Sequence, residues 1–287
     1  MIRRSLFLVA GVAVVAAQLA SAQSYRTLVE SRNVTDETTL RVNIQFVIGE
    51  FLLGPARNDV LYRMVLVYDE DRFEPDVSFH DGRDRLDIGF SWAHGTGVHD
   101  TDKLHQRLDL ALSPDVPLDL QITFGAAAGD IELGGLSLTE AVIKTGASQS
   151  TIRFSEPNRI TCERLVFQVG AAQFEALQLG NSRCRSIELN GAVGKMLLDF
   201  TGEWSDAVTT HAQIKMGLGK LLLRLPESLG VRLDVDRFLV GLDRSGFLKR
   251  GGGGAYYSTS YDTAEHRLTI EIQAALGTIE IDWVPRG

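Results

Sequence analysis

The sequence predicts an all-β protein whose body is a single-stranded β-solenoid (β-helix) with about 21–25 residues in each coil. Apolar and polar residues alternate through most of the chain after residue 23, whereas apolar residues at helical spacing are almost absent. A second pattern is a small residue followed by two apolar residues at alternate positions. It recurs with starts at Gly129, Ser150, Ala172, Gly194 and Gly219. Such spacing is typical of coils that stack their inward side chains on one another.

The composition is that of an ordinary folded chain. The 287 residues include 44% hydrophobic residues, 28 Gly and only 2 Cys, which excludes a disordered chain and a small disulfide-built protein. Basic residues number 29 and acidic residues 37, which gives a net charge of −8. This balance argues against nucleic acid and anionic lipid as partners, because both need a basic protein surface.

Residues 1–22 have the features of a secretory signal peptide. Two arginines precede the apolar stretch 6–20, and Ala20-Ser21-Ala22 supplies the small residues that a signal peptidase accepts. We expect cleavage after Ala22, with a retained N-terminal anchor as the alternative; Gln23 replaces the cysteine that a lipobox would need. No later stretch has the roughly 20 apolar residues of a membrane span. The mature chain is therefore predicted to have no transmembrane segment and to be extracytoplasmic, either periplasmic or secreted.

Two parts are predicted after the signal peptide. An N-terminal β unit covers residues 23–110, and the solenoid repeat body with its closing strands covers residues 111–287. The alternation lapses between Gly82 and Asp115, which we interpret as the connection between the two parts. The run 251–254 consists of four glycines, and we interpret it as a loop between strands because glycine has high backbone freedom.

The two cysteines lie at equivalent positions of the best internal match. Residues 162–174 match residues 184–196 without gaps, at an offset of 22. Neighbouring strands lie about 4.7–4.9 Å apart, within the Cα separation of about 4.4–6.8 Å that a disulfide needs. A bond between Cys162 and Cys184 is therefore predicted for an oxidising compartment, with two reduced core thiols as the alternative.

Several segments resemble a known family. They are 40–54 (LRVNIQFVIGEFLLG), 61–69, 73–78 and 86–88, followed by 120–131 and 261–281. Together they are similar to the bacterial toast-rack proteins, which are related to adhesin-like solenoid domains and to the C-terminal domain of LiaF-type envelope-stress proteins. The likeness covers most of residues 36 to 283. It implies an extracytoplasmic β-solenoid and brings no catalytic residues with it.

The best candidate for a metal site is the group His94, His99 and His105, with Asp100 and Asp102 between them. Imidazole and carboxylate groups within twelve residues could converge on zinc or a similar ion. The spacing is not a recognised ligand signature, so a solvated polar loop is the interpretation that we prefer. We expect no metal and no cofactor.

Paired carboxylates on an outward face are the second chemistry that the sequence could hold. Glu132 would face Arg153 and Glu175 of later coils, and a carbohydrate-active enzyme on a β-helix scaffold could use such a face. Outward positions are polar whatever the function, and no nucleophile elbow, phosphate loop or dinucleotide fingerprint is present. We therefore expect no catalytic residue and keep this enzyme class as the alternative.

Tyr256 and Tyr257 are the candidate binding surface, because exposed aromatic rings stack on sugars or anchor protein partners. A cover over the end of the solenoid is the other interpretation of this pair. We thus predict a non-enzymatic, adhesin-like module of the cell envelope that binds an unidentified protein or glycan. The family resemblance adds a link to envelope stress. Edge strands at the two ends of the stack also predict end-to-end self-association.

Overall fold

The computed structural model describes residues 24–57, 59–93, 106–205, 209–249 and 254–285. Strands dominate these ranges, which confirms the predicted all-β class. The strands are β1 Tyr25–Asn33, β2 Leu40–Pro55, β3 Val60–Asp69, β4 Phe73–His80, β5 Arg85–Trp92, β6 Arg107–Leu112, β7 Leu118–Glu132, β8 Leu138–Thr145, β9 Gln149–Arg153, β10 Cys162–Leu177, β11 Cys184–Asp199, β12 Thr210–Pro226, β13 Gly230–Leu242, β14 Phe247–Lys249, β15 Tyr256–Ser258 and β16 Arg267–Val284. No helix of the described ranges is long and apolar enough to cross a membrane. The predicted signal peptide lies outside the described residues.

The body of the molecule is a stack of parallel coils, as the sequence predicted for a β-solenoid. In spatial order the coils are β2, β7, β8 with β9, β10, β11, β12, β16 and β13, and each pairs in register with the next. Strand β2 pairs directly with β7, so the N-terminal unit continues the stack of the repeat body. The boundary that we place between these parts stays a prediction.

The core consists of columns of inward side chains that run perpendicular to the strands. One column contains Ile44, Ile122, Ile143, Phe167, Leu189, Ile214, Ile272 and Val235 in successive coils. All of these except Val235 are at most 1% exposed. Full burial of such a side chain stabilises the fold by about 1.5–3 kcal/mol, so the stacked columns hold the coils together.

The structure corrects the register that we expected at two of the repeat starts. Gly129 pairs with Ser150 as predicted, but Ser150 pairs with Phe174 rather than with Ala172. The expected starts at 129 and 150 are therefore two positions later in the coil than those at 172, 194 and 219. A shift of two residues leaves every side chain on the same face of a strand, so alternation could not reveal it. The match between residues 162–174 and 184–196 is correct, with pairs from Cys162–Cys184 to Ala176–Leu198.

Both ends of the stack depart from the simple chain order. At the N-terminal end β1 pairs antiparallel with β3, which pairs antiparallel with β6, and the β4–β5 hairpin lies beside the first half of β2. At the other end β16 lies between β12 and β13, although β13 follows β12 in the chain. Strand β13 is therefore the outermost coil. The short strands β14 and β15 pair with each other and cover part of it.

Glycine at one corner of the coils allows the close approach of successive coils. Gly194 and Gly219 pair across β11 and β12, with φ angles of +147° and +145°. A Cβ atom on Gly219 would overlap the carbonyl oxygen of Gly194, far inside the 3.0 Å that real Cβ contacts keep. The corner therefore requires glycine at these positions.

Candidate binding surface

The predicted histidine cluster cannot be assigned a geometry. His94, His99 and His105, with the aspartates between them, lie outside the described residues. Within the described ranges no group of three His, Cys, Asp or Glu side chains could hold a metal ion. The preference for a polar loop over a metal site stays a prediction.

Cys162 and Cys184 pair directly across β10 and β11, and neither is accessible to solvent. Their sulfur atoms are joined in the structure, with Cα atoms 4.2 Å apart. The bridge links the first residues of two neighbouring coils. Oxidation of this pair in an extracytoplasmic compartment stays a prediction.

The side chains of the predicted carboxylate face form hydrogen bonds with neighbouring backbone and side-chain groups. Glu132 Oε1 accepts hydrogen bonds from the backbone amides of Gly134, at 2.6 Å, and Ser155, at 3.0 Å. The guanidinium of Arg153 donates to Asp130, at 2.6 Å, instead of lying between two carboxylates. Glu175 pairs with Thr151 in the strand register. The arrangement ties neighbouring coils together and contains no pair of facing carboxylates at these residues.

Other outward charges are also neutralised by partners on the next coil. Arg164 donates to Glu188 at 3.0 Å, and Arg224 donates to Asp282 at 3.0 Å. The hydrogen bond to Glu188 raises the pKa of Arg164. Exposed pairs of this kind contribute little to stability, about 0–1 kcal/mol each.

Tyr256 and Tyr257 lie on β15, at the outermost end of the stack. Tyr256 pairs with Leu233 of β13 and packs against the hydrophobic core. The ring of Tyr257 meets that of Tyr261 edge to face, with centroids 4.8 Å apart. Both tyrosines are half-buried. The placement suits a cover over the end of the solenoid, and a role of this pair in binding stays a prediction.

An open groove of about 960 Å³ runs along one corner of the solenoid. We call it the corner groove. It crosses six successive coils, β8, β10, β11, β12, β16 and β13, which at about 4.8 Å per step gives a length of about 24 Å. Small residues form one column of its lining, which we call its floor: Gly170, Ala192, Gly217 and Ala275.

One wall of the corner groove is a column of polar side chains in register. It consists of Lys144, Gln168, Asn190, Lys215, Gln273 and Asp236, one from each coil. Strand pairing fixes the spacing of these groups, so the wall presents hydrogen-bonding groups at the repeat of the coils. Within the described ranges, neither Lys144 nor Lys215 forms an ion pair.

Directly after four of the lining residues, the chain carries a column of exposed apolar side chains, which we call the apolar ridge. It consists of Val193, Leu218, Leu276 and Leu239, which pair in register and are 44%, 42%, 44% and 61% exposed. Phe238, 81% exposed, stands at the β13 end of the groove. Contiguous exposed apolar residues of this kind mark interaction sites in soluble proteins. The apolar ridge thus runs beside the corner groove and lies outside its lining.

The residues of this groove are not those that we singled out in the sequence. At the corner, two consecutive residues point outward, for example Ala192 and Val193, and the alternation breaks. Alternation alone assigns residues such as Leu218 to the core. Only the register across coils shows that they form one ridge.

The outermost coil leaves a strand edge unpaired. On the side away from β16, the described chain pairs with β13 only at Arg232 and Leu233. The remaining edge, Asp234–Leu242, includes the exposed Phe238 and Leu239. An unpaired apolar edge of this kind is a template for pairing with another chain.

Comparison with known families shows which family this chain is related to. The model of the N-terminal domain of toast_rack, DUF2154, matches residues 19–163, which is half of the chain. The chain belongs to the toast-rack family. Within the toast-rack protein the match ends just after the start of β10, so it covers the N-terminal unit and the first coils of the repeat body.

Solved structures similar to this toast-rack protein carry names that refer to adhesion. A "putative cell adhesion protein" from Clostridium sporogenes has 14% identity and a TM-score of 0.46, covering 91% of this chain and 100% of its own. A "putative adhesin" from Bacteroides fragilis has 10% identity and a TM-score of 0.31, covering 89% and 97%. Another from Parabacteroides merdae has 9% identity and a TM-score of 0.28, covering 90% and 96%. No curated protein shows a significant match.

Proposed function

We propose that this toast-rack protein is a non-enzymatic binding module that holds an extended partner in the corner groove. The observation that carries the proposal is the continuity of the groove across six coils, with a polar wall in register and the apolar ridge beside it. A deep pocket would suit a small molecule, whereas a long open groove suits a polymer. The apolar ridge supplies area to bury, and the polar wall supplies groups that orient the partner.

An extracytoplasmic location is part of the proposal. The features of residues 1–22 support export, and the bridge between Cys162 and Cys184 is chemistry that oxidising compartments favour. An adhesin-like role in the cell envelope agrees with both. The link to envelope stress rests on the family resemblance alone. Its test is the growth of a strain that lacks this protein, compared with the parent strain, under conditions that damage the envelope.

The proposal treats the chain as a binding protein rather than as a carbohydrate-active enzyme. Glycosidases place two carboxyl groups about 5–9.5 Å apart across a cleft. In the described part of the chain, the acidic residue that lines the corner groove is Asp236, at one end. This arrangement supports binding without hydrolysis.

The test measures binding of residues 23–287 to immobilised glycans and peptides, with two matched variants. Ala192→Trp fills the floor of the groove, and Val29→Trp places the same side chain at an exposed site of β1, at the other end of the stack. We expect the first variant to lose binding and the second to retain it. Binding that survives Ala192→Trp would contradict the site. Release of new reducing ends from a bound glycan would contradict the non-enzymatic role.

A further inference from the structure

We propose that the corner groove binds a linear glycan that carries carboxylate groups along its length. This inference rests on the function proposed above and names the ligand class of the same groove. Three features carry it: the repeat distance of the polar wall, the positive charges on that wall, and the exposed Phe238 with the apolar ridge beside the groove.

The repeat distance favours a glycan over a peptide. The groove runs perpendicular to the strands, so its polar groups recur at the coil rise of about 4.8 Å. An extended peptide advances about 3.3 Å per residue and presents the same side every two residues, at about 6.6 Å. Its side chains therefore lose register with the polar groups of the groove within a few coils. A pyranose unit of an extended glycan is about as long as one coil rise. One sugar could therefore face each of Gln168, Asn190 and Lys215 in turn.

The charges of the groove favour an acidic glycan over a neutral one. Lys144 and Lys215 lie three coils apart on the polar wall, and Arg237 lines the groove two coils beyond Lys215. The side-chain amides between them can donate hydrogen bonds to hydroxyl groups. Asp236 is the acidic residue of the lining and lies at the end of the groove. These cations are a local exception on a chain whose net charge is −8.

The acidic side chains nearest to this wall are mostly neutralised by arginine. Glu188 accepts from Arg164 at 3.0 Å, and Asp234 pairs with Arg232 at 2.9 Å. Glu271 lies two residues before Gln273 on the same strand and does not line the groove. A carboxylate in the groove therefore meets the ammonium groups of Lys144 and Lys215, which form no ion pair with the described residues.

The apolar ridge suits the other side of a sugar chain. The faces of a pyranose ring present C–H groups, which pack on aliphatic side chains such as Leu218 and Leu276. Phe238 stands exposed at the end of the groove, where its ring can stack on a sugar. A glycan that lies in the groove and extends over the adjacent ridge would thus cover exposed apolar area on one side and meet lysine and amide groups on the other.

The test compares four polymers by calorimetric titration into residues 23–287. They are polygalacturonate, its fully methyl-esterified form, a neutral 1,4-linked glucan and poly-glutamate. We expect polygalacturonate to bind at least tenfold more tightly than the other three, with an affinity that falls as salt increases. The double variant Lys144→Met and Lys215→Met should lose at least tenfold of that affinity. Lys249→Met, on β14 and outside the groove lining, should lose less than twofold.

The outcomes separate the ligand class from the proposed function. Equal binding of the esterified or neutral polymer, or tighter binding of poly-glutamate, overturns the assignment of an acidic glycan. The proposal of a groove-binding module still stands in that case if Ala192→Trp abolishes the binding. Absence of binding by all four polymers overturns the acidic glycan. If the immobilised glycans and peptides also fail to bind, the proposed function fails with it. Unchanged circular dichroism of the variants shows that a lost affinity is not a lost fold.

Discussion

Replacement of Gly219 by alanine should destabilise the solenoid strongly, because this glycine lies where two coils approach most closely. Its φ of +145° belongs to a region that residues with a side chain rarely adopt, which costs roughly 1–3 kcal/mol. The new Cβ would also overlap the carbonyl oxygen of Gly194, and such overpacking typically costs about 1–3 kcal/mol. We expect the free energy of unfolding to fall by about 4 kcal/mol.

The assay is urea-induced unfolding of residues 23–287, followed by circular dichroism and tryptophan fluorescence. The control is Gly82→Ala, since a Cβ on Gly82 meets no atom within 4 Å and should change stability by less than about 0.5 kcal/mol. If Gly219→Ala unfolds at the same urea concentration as Gly82→Ala, the two coils are not in the register described above.

Two further predictions concern the bridge and the open end. Replacement of Cys162 and Cys184 by alanine should lower the free energy of unfolding by about 3 kcal/mol. The stability of this variant should no longer depend on a reductant. Two free thiols in the unreduced wild type would contradict the bridge. Sedimentation should show concentration-dependent dimers that form through β13. Leu239→Lys should make the protein monomeric, whereas Val29→Lys, at the other end of the stack, should leave the dimers intact. A wild-type monomer at all concentrations would rule out this association.

Much of the fold could be predicted from the sequence because a solenoid repeats a local pattern. The alternation of residues such as Leu189 and Ile214 reports which side chains face inward, and the offset of 22 between Cys162 and Cys184 reports one coil. The register at Ser150 was wrong, because a shift of two residues preserves that alternation. The position of β16 between β12 and β13 could not be predicted, since strand order at the end of a stack depends on contacts between distant segments.

The corner groove was less accessible to sequence analysis than the fold. Tyr256 and Tyr257, which we chose from the sequence as a candidate binding surface, are half-buried in the structure, and their role in binding stays a prediction. The groove depends on which residues of successive coils become neighbours. Lys144 and Lys215 are 71 positions apart in the sequence, and only the strand pairing places them on one wall.

Protection of individual lysines tests the central claim most directly. The chain has six lysines, so acetylation of each can be followed by mass spectrometry with and without polygalacturonate. We predict that the polymer lowers the acetylation rate of Lys144 and Lys215 at least fivefold and leaves Lys249, outside the groove lining, unchanged. Equal protection of all three lysines, or none at saturating polymer, would contradict binding in the corner groove.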